Sequence, residues 1–234
     1  MKKNSYLVII PTYNEVFNII ELVRSIIYEF SDIDILIIDD SSPDGTSLAV
    51  EFEMLSKKQI SIIKREGKLG IASAYIAGFK YAMSNNYTHV VQMDADGSHQ
   101  VKDLKKLMAS SLYDKNCVII GSRYIEFNQK KIWRLSRFLL SKGANIFAKF
   151  FLKINMSDIT SGFRIYPLSI FKKFNFETIK GKDFVFQIEM SKFVKDHKIK
   201  VKEIEIDFID RVNGKSKMDL GMVMESFIYV LKNR

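Results

Sequence analysis

The 234-residue chain predicts an α/β protein with a mostly parallel central sheet flanked by helices. Three observations carry that expectation. Short, continuous apolar runs rich in β-branched residues alternate with segments of helical periodicity, as expected of strands buried on both faces. Three of those runs stop at polar clusters, residues 12–15, 39–46 and 94–99. In an open parallel sheet such ends share one edge and line one crevice. Finally, 47% hydrophobic content with 3 Pro and 11 Gly supplies a sizeable core and leaves no linker, repeat or low-complexity tract.

The elements follow in order. Tyr6-Leu7-Val8-Ile9-Ile10 is the first buried strand and ends in Pro11-Thr12-Tyr13-Asn14-Glu15. Val16, Ile19, Ile20, Val23, Ile26, Ile27 and Phe30 then recur at helical spacing, giving a core-facing helix. Ile35-Leu36-Ile37-Ile38 is a second strand, ending in Asp39-Asp40-Ser41-Ser42-Pro43-Asp44-Gly45-Thr46 before another helix. Residues 61–64 form a weaker third strand. The next helix opens after Gly67-Lys68-Leu69-Gly70, and its small residues Ala74, Gly78 and Ala82 permit close packing on a sheet. The fourth strand, Val90-Val91-Gln92-Met93, runs into Asp94-Ala95-Asp96-Gly97-Ser98-His99, and a fifth ends in Gly121-Ser122-Arg123-Tyr124. Residues 158–164 read as a polar turn, 184–196 as a helix, 201–209 as a half-exposed strand and 220–232 as a helix too short to span a bilayer.

Charge narrows the partners. The formal net charge of +9 calls for nucleic acid, acidic lipid or a phosphorylated substrate. No stretch matches a nucleic-acid-binding module, so no nucleic acid partner is expected. Between Glu126 and Asp158 there is no acid, whereas Lys130, Lys131, Arg134, Arg137, Lys142, Lys149 and Lys153 interleave with Trp133, Phe138, Phe147, Phe150 and Phe151. That pattern suits an interfacial helix on an anionic membrane, and equally an ordinary amphipathic helix on the sheet. The first apolar run is too short for a signal peptide, and no window reaches the roughly 18 apolar residues of a spanning helix. The lone Cys117 sits in a strand as a core residue and points to a reducing compartment.

Asp94 and Asp96 are too close in sequence to flank one bond as acid and base. As hard oxygen ligands at a strand end they suit Mg2+ or Mn2+ bridged to a diphosphate. Taken alone the pair also fits a surface Asx turn; the two further polar clusters at corresponding strand ends weigh against that. Arg211, Lys215 and Lys217 stand in a Gly- and Ser-containing loop that reads either as a phosphate grip or as a solvated basic loop.

These pieces resemble the motifs of the inverting GT-A glycosyltransferases of family 2, most closely the dolichol-phosphate (polyprenol-phosphate) mannose synthase group. The resemblance rests on Pro11-Thr12-Tyr13-Asn14-Glu15, residues 39–46, Gly70-Ile71-Ala72-Ser73-Ala74-Tyr75, Asp94-Ala95-Asp96, Gly121-Ser122-Arg123-Tyr124, Arg137 with Ser141 and Asn145, Thr160-Ser161-Gly162-Phe163-Arg164, Phe186-Gln187-Ile188-Glu189, and Arg211 with Gly214, Ser216 and Lys217. It implies a GT-A fold with amphipathic interfacial helices. It also implies one glycosyltransferase domain over 1–234, with a nucleotide-sugar half (1–125) and an acceptor and membrane-interface half (126–234). Pro11, Tyr13, Glu15, Ile38 and Asp40 would hold the nucleoside of GDP-mannose, with Ala95 beside it. Asp94, Asp96 and Ser98 would bind the divalent metal, Mg2+ or Mn2+. Arg123, Arg137 and Ser141 would face the phosphate of a polyprenyl (dolichyl-type) acceptor, and Arg211 and Lys217 the donor diphosphate.

The implied reaction is attack of a lipid phosphate on the anomeric carbon of the donor, inverting it to a β-linked product. Asp96, Arg123 and Arg211 carry the catalytic electrostatics. The acceptor is already ionised, so no strong general base is needed. His99 and Glu189 are weak candidates, and His99 reads as structural. The implied setting is the cytoplasmic face of a membrane, with peripheral attachment to an anionic surface; a small membrane-anchoring subunit is left open as a partner. Gly97 stands where the family usually has Leu, Val101 where Pro is common, residues 125–129 where it is Gly-rich, and Asp183 where Gly is usual. The alternatives are a related transferase using another nucleotide sugar such as UDP-glucose, one with a hydroxyl acceptor, or a non-catalytic nucleotide-sugar-binding protein.

Overall fold

Alternation along the strands builds the layers. In the first strand, β1 (Tyr6–Thr12), residues Tyr6, Val8 and Ile10 belong to one apolar cluster, and Leu7 and Ile9 to another on the opposite face. The second strand, β2 (Asp34–Asp39), repeats this with Ile35 and Ile37 against Leu36 and Ile38. Each strand is therefore buried on both faces, and helices must cover both sides of the sheet.

The computed structural model describes residues 5–125, 135–179, 181, 183–209 and 220–233, with the backbone alone at 135–140, 173, 183–184, 220 and 222–223. The remaining strands are β3 (Ile60–Lys64), β4 (His89–Gln92), β5 (Val118–Ser122), β6 (Arg164–Pro167) and β7 (Val201–Glu205). They form one sheet in the order β3-β2-β1-β4-β6-β5-β7. Helices α1 (Val16–Glu29), α2 (Thr46–Met54) and α4 (Val101–Tyr113) supply the core on one side. Helices α3 (Ile71–Ser84), α5 (Leu135–Leu152), α6 (Asp183–Asp196) and α7 (Leu220–Lys232) supply it on the other. The close approach expected of α3 is met at Gly78, where a Cβ would lie 2.6 Å from Ile9 Cγ2.

The sheet is mixed, because β6 runs antiparallel between β4 and β5. The sequence expectation gave no strand at 164–167 and ended a polar turn at Arg164. The structure instead makes 164–167 a strand paired on both edges. Arg164 is fully buried, opposite Gln92 on one side and Ile120 on the other. Its guanidinium donates to the carbonyls of Ser161 (2.8 Å) and Ile159 (2.7 Å) and to the hydroxyls of Tyr166 (3.0 Å) and Ser191 (3.0 Å). A charged residue passes as a strand member only where such partners converge, and three of these four come from outside the strand. The half-exposed strand expected over 201–209 ends at Glu205.

Two consequences position the site. β2, β1 and β4 are adjacent and parallel, so their carboxyl ends lie side by side. Because β6 is antiparallel, its amino end reaches that same edge. Cys117 is buried, and burial pushes its thiol up, in keeping with a core residue. Among the described residues no helix is long and apolar enough to cross a membrane.

Candidate active site

The first two polar clusters are stitched together. Thr12 Oγ1 donates to Asp39 Oδ1 (2.8 Å), the Asn14 N–H to Ser42 Oγ (3.0 Å), the Glu15 N–H to Thr46 Oγ1 (3.0 Å) and the Val16 N–H to Asp44 Oδ2 (3.1 Å). Burial works against the charge of Asp39, but hydrogen bonds from Ser42, Ser47 and Thr12 outweigh it and hold its carboxyl below the usual range. Asn14 and Ser41 take left-handed backbone (φ 58° and 55°), a conformation uncommon away from glycine and often met at functional sites.

Asp40 turns the neighbouring loop inward. Its Oδ2 accepts the N–H groups of Leu69 (3.0 Å) and Gly70 (2.9 Å), and its carboxylate pairs with the buried Arg65. Arg65 in turn donates to Ser73 Oγ (2.6 Å) and the Gly70 carbonyl (3.0 Å). Lys68 on this loop stands 4.6 Å over the ring of Tyr13. Of the residues expected to hold a nucleoside, Pro11 and Tyr13 are half-buried at the crevice and Glu15 is buried. Ile38 lies within the α3-side core, beneath the crevice rather than on its wall, because strand parity turns its side chain there.

The third cluster holds the acid pair. The Asp94 side chain keeps 31% exposure, while Asp96 is buried at 5%. Tyr75 on α3 donates its hydroxyl to Asp94 Oδ1 (3.1 Å). The Asp94 N–H donates to His99 Nδ1 (3.0 Å), which puts a neutral ring's proton on Nε2, 3.9 Å from Asp94 Oδ2. Burial depresses the His99 pKa against the pull of Asp94 and Asp96, and the ring stacks on Phe163 at 4.6 Å. The structural reading of His99 therefore stands: it steadies Asp94. Asp96 Oδ1 accepts the Ser98 N–H (3.0 Å) across Gly97, whose φ of 77° suits glycine. The Asx turn and the acid pair coexist. Ala95 packs into the α1–α4 core, and Ser98 is buried beside Asp96.

Among the described residues no three His, Cys, Asp or Glu side chains converge on one point. What Asp94, Asp96 and Ser98 offer is two carboxylates and a hydroxyl, with Asp94 open to the crevice. That donor set fits a hard divalent cation sharing its shell with a diphosphate, rather than an all-protein cage.

Further along the edge, Arg123 is committed to a residue the sequence left without a role. Its Nε and one Nη donate to the two oxygens of Asp158 (2.7 and 2.8 Å), and the same Nη reaches Thr160 Oγ1 (2.8 Å). Both side chains are buried. Burial opposes the charge on each, but their mutual attraction wins, so Arg123 is raised and Asp158 lowered. The fork expected to face an acceptor phosphate thus closes first on a carboxylate. Loop 157–160 is held further by Glu203, which accepts the Ser157 and Asp158 N–H groups, and by Asn145 of α5, which bonds Ser157 and Ile159. Ser141 Oγ is 2.7 Å from the Tyr124 hydroxyl. The Arg137 side chain, Arg211 and Lys217 lie outside what the structure describes. Tyr75, Asn145 and Gln187 were visible as motif members, but nothing local in the sequence gave their contacts.

The chain matches the profile of glycosyl transferase family 2 over residues 7–174, and it belongs to that family. It is 35% identical over 225 residues to the polyprenol monophosphomannose synthase of Mycolicibacterium smegmatis, covering 96% of this chain and 84% of that protein. It is 31% identical over 226 residues to the undecaprenyl-phosphate mannosyltransferase of Micrococcus luteus, covering 97% and 92%. Among solved structures it resembles glucosyl-3-phosphoglycerate synthase from Mycobacterium tuberculosis in complex with Mn2+, UDP and glucosyl-3-phosphoglycerate (TM-score 0.72, 13% identity, 98% of this chain and 80% of that one). It also resembles a mannosyltransferase from Pyrobaculum calidifontis in complex with GDP-Man and Mn2+ (TM-score 0.58, 17% identity, 92% and 59%). These likenesses define the fold as GT-A.

Proposed function

We propose that this chain transfers mannose from GDP-mannose to a polyprenyl phosphate, with inversion to the β-linked lipid phosphate sugar. One observation carries the reading: the end-to-end likeness to relatives named for mannosyl transfer to polyprenyl phosphates, in a chain whose β1, β2 and β4 ends converge on Asp94 and Asp96.

Asp94, Asp96 and Ser98 would hold the divalent cation, which when bound would supply charge neutralisation for the departing diphosphate. Tyr75 and His99 keep Asp94 oriented toward the crevice. GDP leaves as an anion through its terminal phosphate oxygen and needs no proton; the acceptor phosphate attacks as an anion and needs none removed. His99 is neutral, buried and bonded to the Asp94 backbone, and Glu189 accepts from the Gly181 N–H (3.0 Å), so neither is required as a base. Arg123 and Ser141 lie toward the acceptor end, with Arg137, Arg211 and Lys217 as further cations for the two phosphates. Attachment is peripheral: Ile146 and Phe150 of α5 and Met224, Ile228 and Leu231 of α7 are exposed apolar side chains, with Lys149 and Lys153 beside the first pair.

Purified protein incubated with GDP-mannose, polyprenyl phosphate and Mg2+ or Mn2+ should yield polyprenyl phosphate mannose. Product from UDP-glucose alone would replace the donor assignment. Binding without turnover would reduce the chain to a nucleotide-sugar-binding protein.

A further inference from the structure

The crevice has an order. Across the sheet it runs from β2 through β1, β4 and β6 to β5, so the edge passes from Asp40 and Tyr13 to Asp94, then to Gly162 ahead of β6, then to Arg123 after β5. With the diphosphate at Asp94 and the acceptor phosphate toward Arg123, the transferred sugar must lie between, at Gly162.

The residues there suit a hydroxyl. A Cβ on Gly162 would lie 3.6 Å from both carboxylate oxygens of Asp94 and 3.6 Å from Gln187 Nε2, so all three border one small space. Gln187 is 5% exposed, and its Oε1 is buried with no hydrogen-bond partner among the described residues. The backbone that carries the amide is held in place: Ser191 Oγ one turn on donates to the Gln187 backbone carbonyl (2.9 Å), and the adjacent Phe186 stacks on Tyr75 at 6.0 Å, the tyrosine that bonds Asp94. A phosphate beside Asp94 calls for a cation, which Gln187 is not. A hydroxyl can donate to an oxygen and accept from an N–H, and a primary amide offers both.

We propose that Gln187 is a specificity-determining residue that reads a hydroxyl of the transferred hexose, with Gly162 keeping the approach between the amide and Asp94 open. This rests on the nucleotide-sugar reading above and adds the sugar's own contact to it.

The test is calorimetry on the full chain with Mn2+, comparing GDP with GDP-mannose. Gln187→Leu keeps a branched side chain, one carbon shorter, and removes both hydrogen-bonding atoms. It should weaken GDP-mannose by about three- to tenfold, the worth of one hydrogen bond, while GDP changes by less than about twofold. Donors lacking single sugar hydroxyls should lose affinity for the unaltered protein at one position and lose nothing further for Gln187→Leu at that position. Gly162→Ala is the second variant. Its Cβ meets neighbours at ordinary contact distance and its φ is not positive, so the fold tolerates it, yet it should weaken GDP-mannose and spare GDP. Equal losses for GDP and GDP-mannose, or no loss for either, would overturn the proposal. If the unaltered protein prefers UDP-glucose, the donor assignment falls, and the same comparison with UDP and UDP-glucose decides Gln187. If it binds no nucleotide sugar, both fall.

Discussion

The two ends of the crevice are built differently. Around Asp39, at the proposed donor end, the contacts are single hydrogen bonds from neutral groups, within one cluster from Ser42 and Ser47 and between clusters from Thr12. At the acceptor end, Arg123 closes on Asp158, 35 residues away, and Glu203 reaches loop 157–160 from 46 residues away. The donor end therefore tolerates loss of one polar group as a loss of ligand. The acceptor end couples its charge to its stability, because removing one partner leaves the other buried and unpaired.

The largest expected effect tests the donor side. Asp96→Ala should lower turnover by about a thousandfold, by removing charge-stabilising machinery, while circular dichroism and the melting curve stay close to those of the unaltered protein. A folded variant with near-normal turnover would remove Asp96 from the metal set.

On the acceptor side the signature reverses. Arg123→Ala or Asp158→Ala should lose about 3–5 kcal/mol in denaturant unfolding, with a double-mutant cycle showing strong coupling between the two. Purely additive losses would mean that the pair is not one unit. The pH dependence follows in sign. Asp158 titrates below the usual range when folded, so its contribution is full above the unfolded carboxyl's value of about 3.9 and is lost as pH falls through the lower folded value. The stability gap between the unaltered protein and Asp158→Asn should be widest near neutrality and close in acid; a gap constant down to acid unfolding would contradict it.

The arginines sharpen the comparison further. Arg137→Lys should raise the acceptor requirement by about tenfold, the loss of one charge-assisted hydrogen bond, with GDP-mannose affinity and stability unchanged. Arg123→Lys should do the same and also destabilise. Should both lose donor binding instead, the arginines belong with the diphosphate.

Smallest is the surface effect. Lys149→Gln and Lys153→Gln should each weaken flotation with anionic vesicles by about 1 kcal/mol at low salt, the difference vanishing at high salt. No vesicle binding by the unaltered protein at low salt would end the interfacial reading.

Periodicity and composition were enough for the parallel strands β1, β2 and β4, for α1, α3 and α7, and for the acid pair at a strand end, because each is encoded by neighbours within a few residues. The close seat of α3 was likewise readable in Ala74, Gly78 and Ala82. β6 was not, since Arg164 becomes a strand residue only when Ser161, Ile159, Tyr166 and Ser191 gather around its guanidinium. Nor was the pairing of Arg123 with Asp158, or the meeting of Gln187 with Gly162 and Asp94. A sequence records which groups can donate, accept or carry charge. Which of them meet was decided by an antiparallel strand inserted between β4 and β5: buried charge there requires partners, and the fold brings Ser191 to Arg164 and Asp158 to Arg123 from distant parts of the chain.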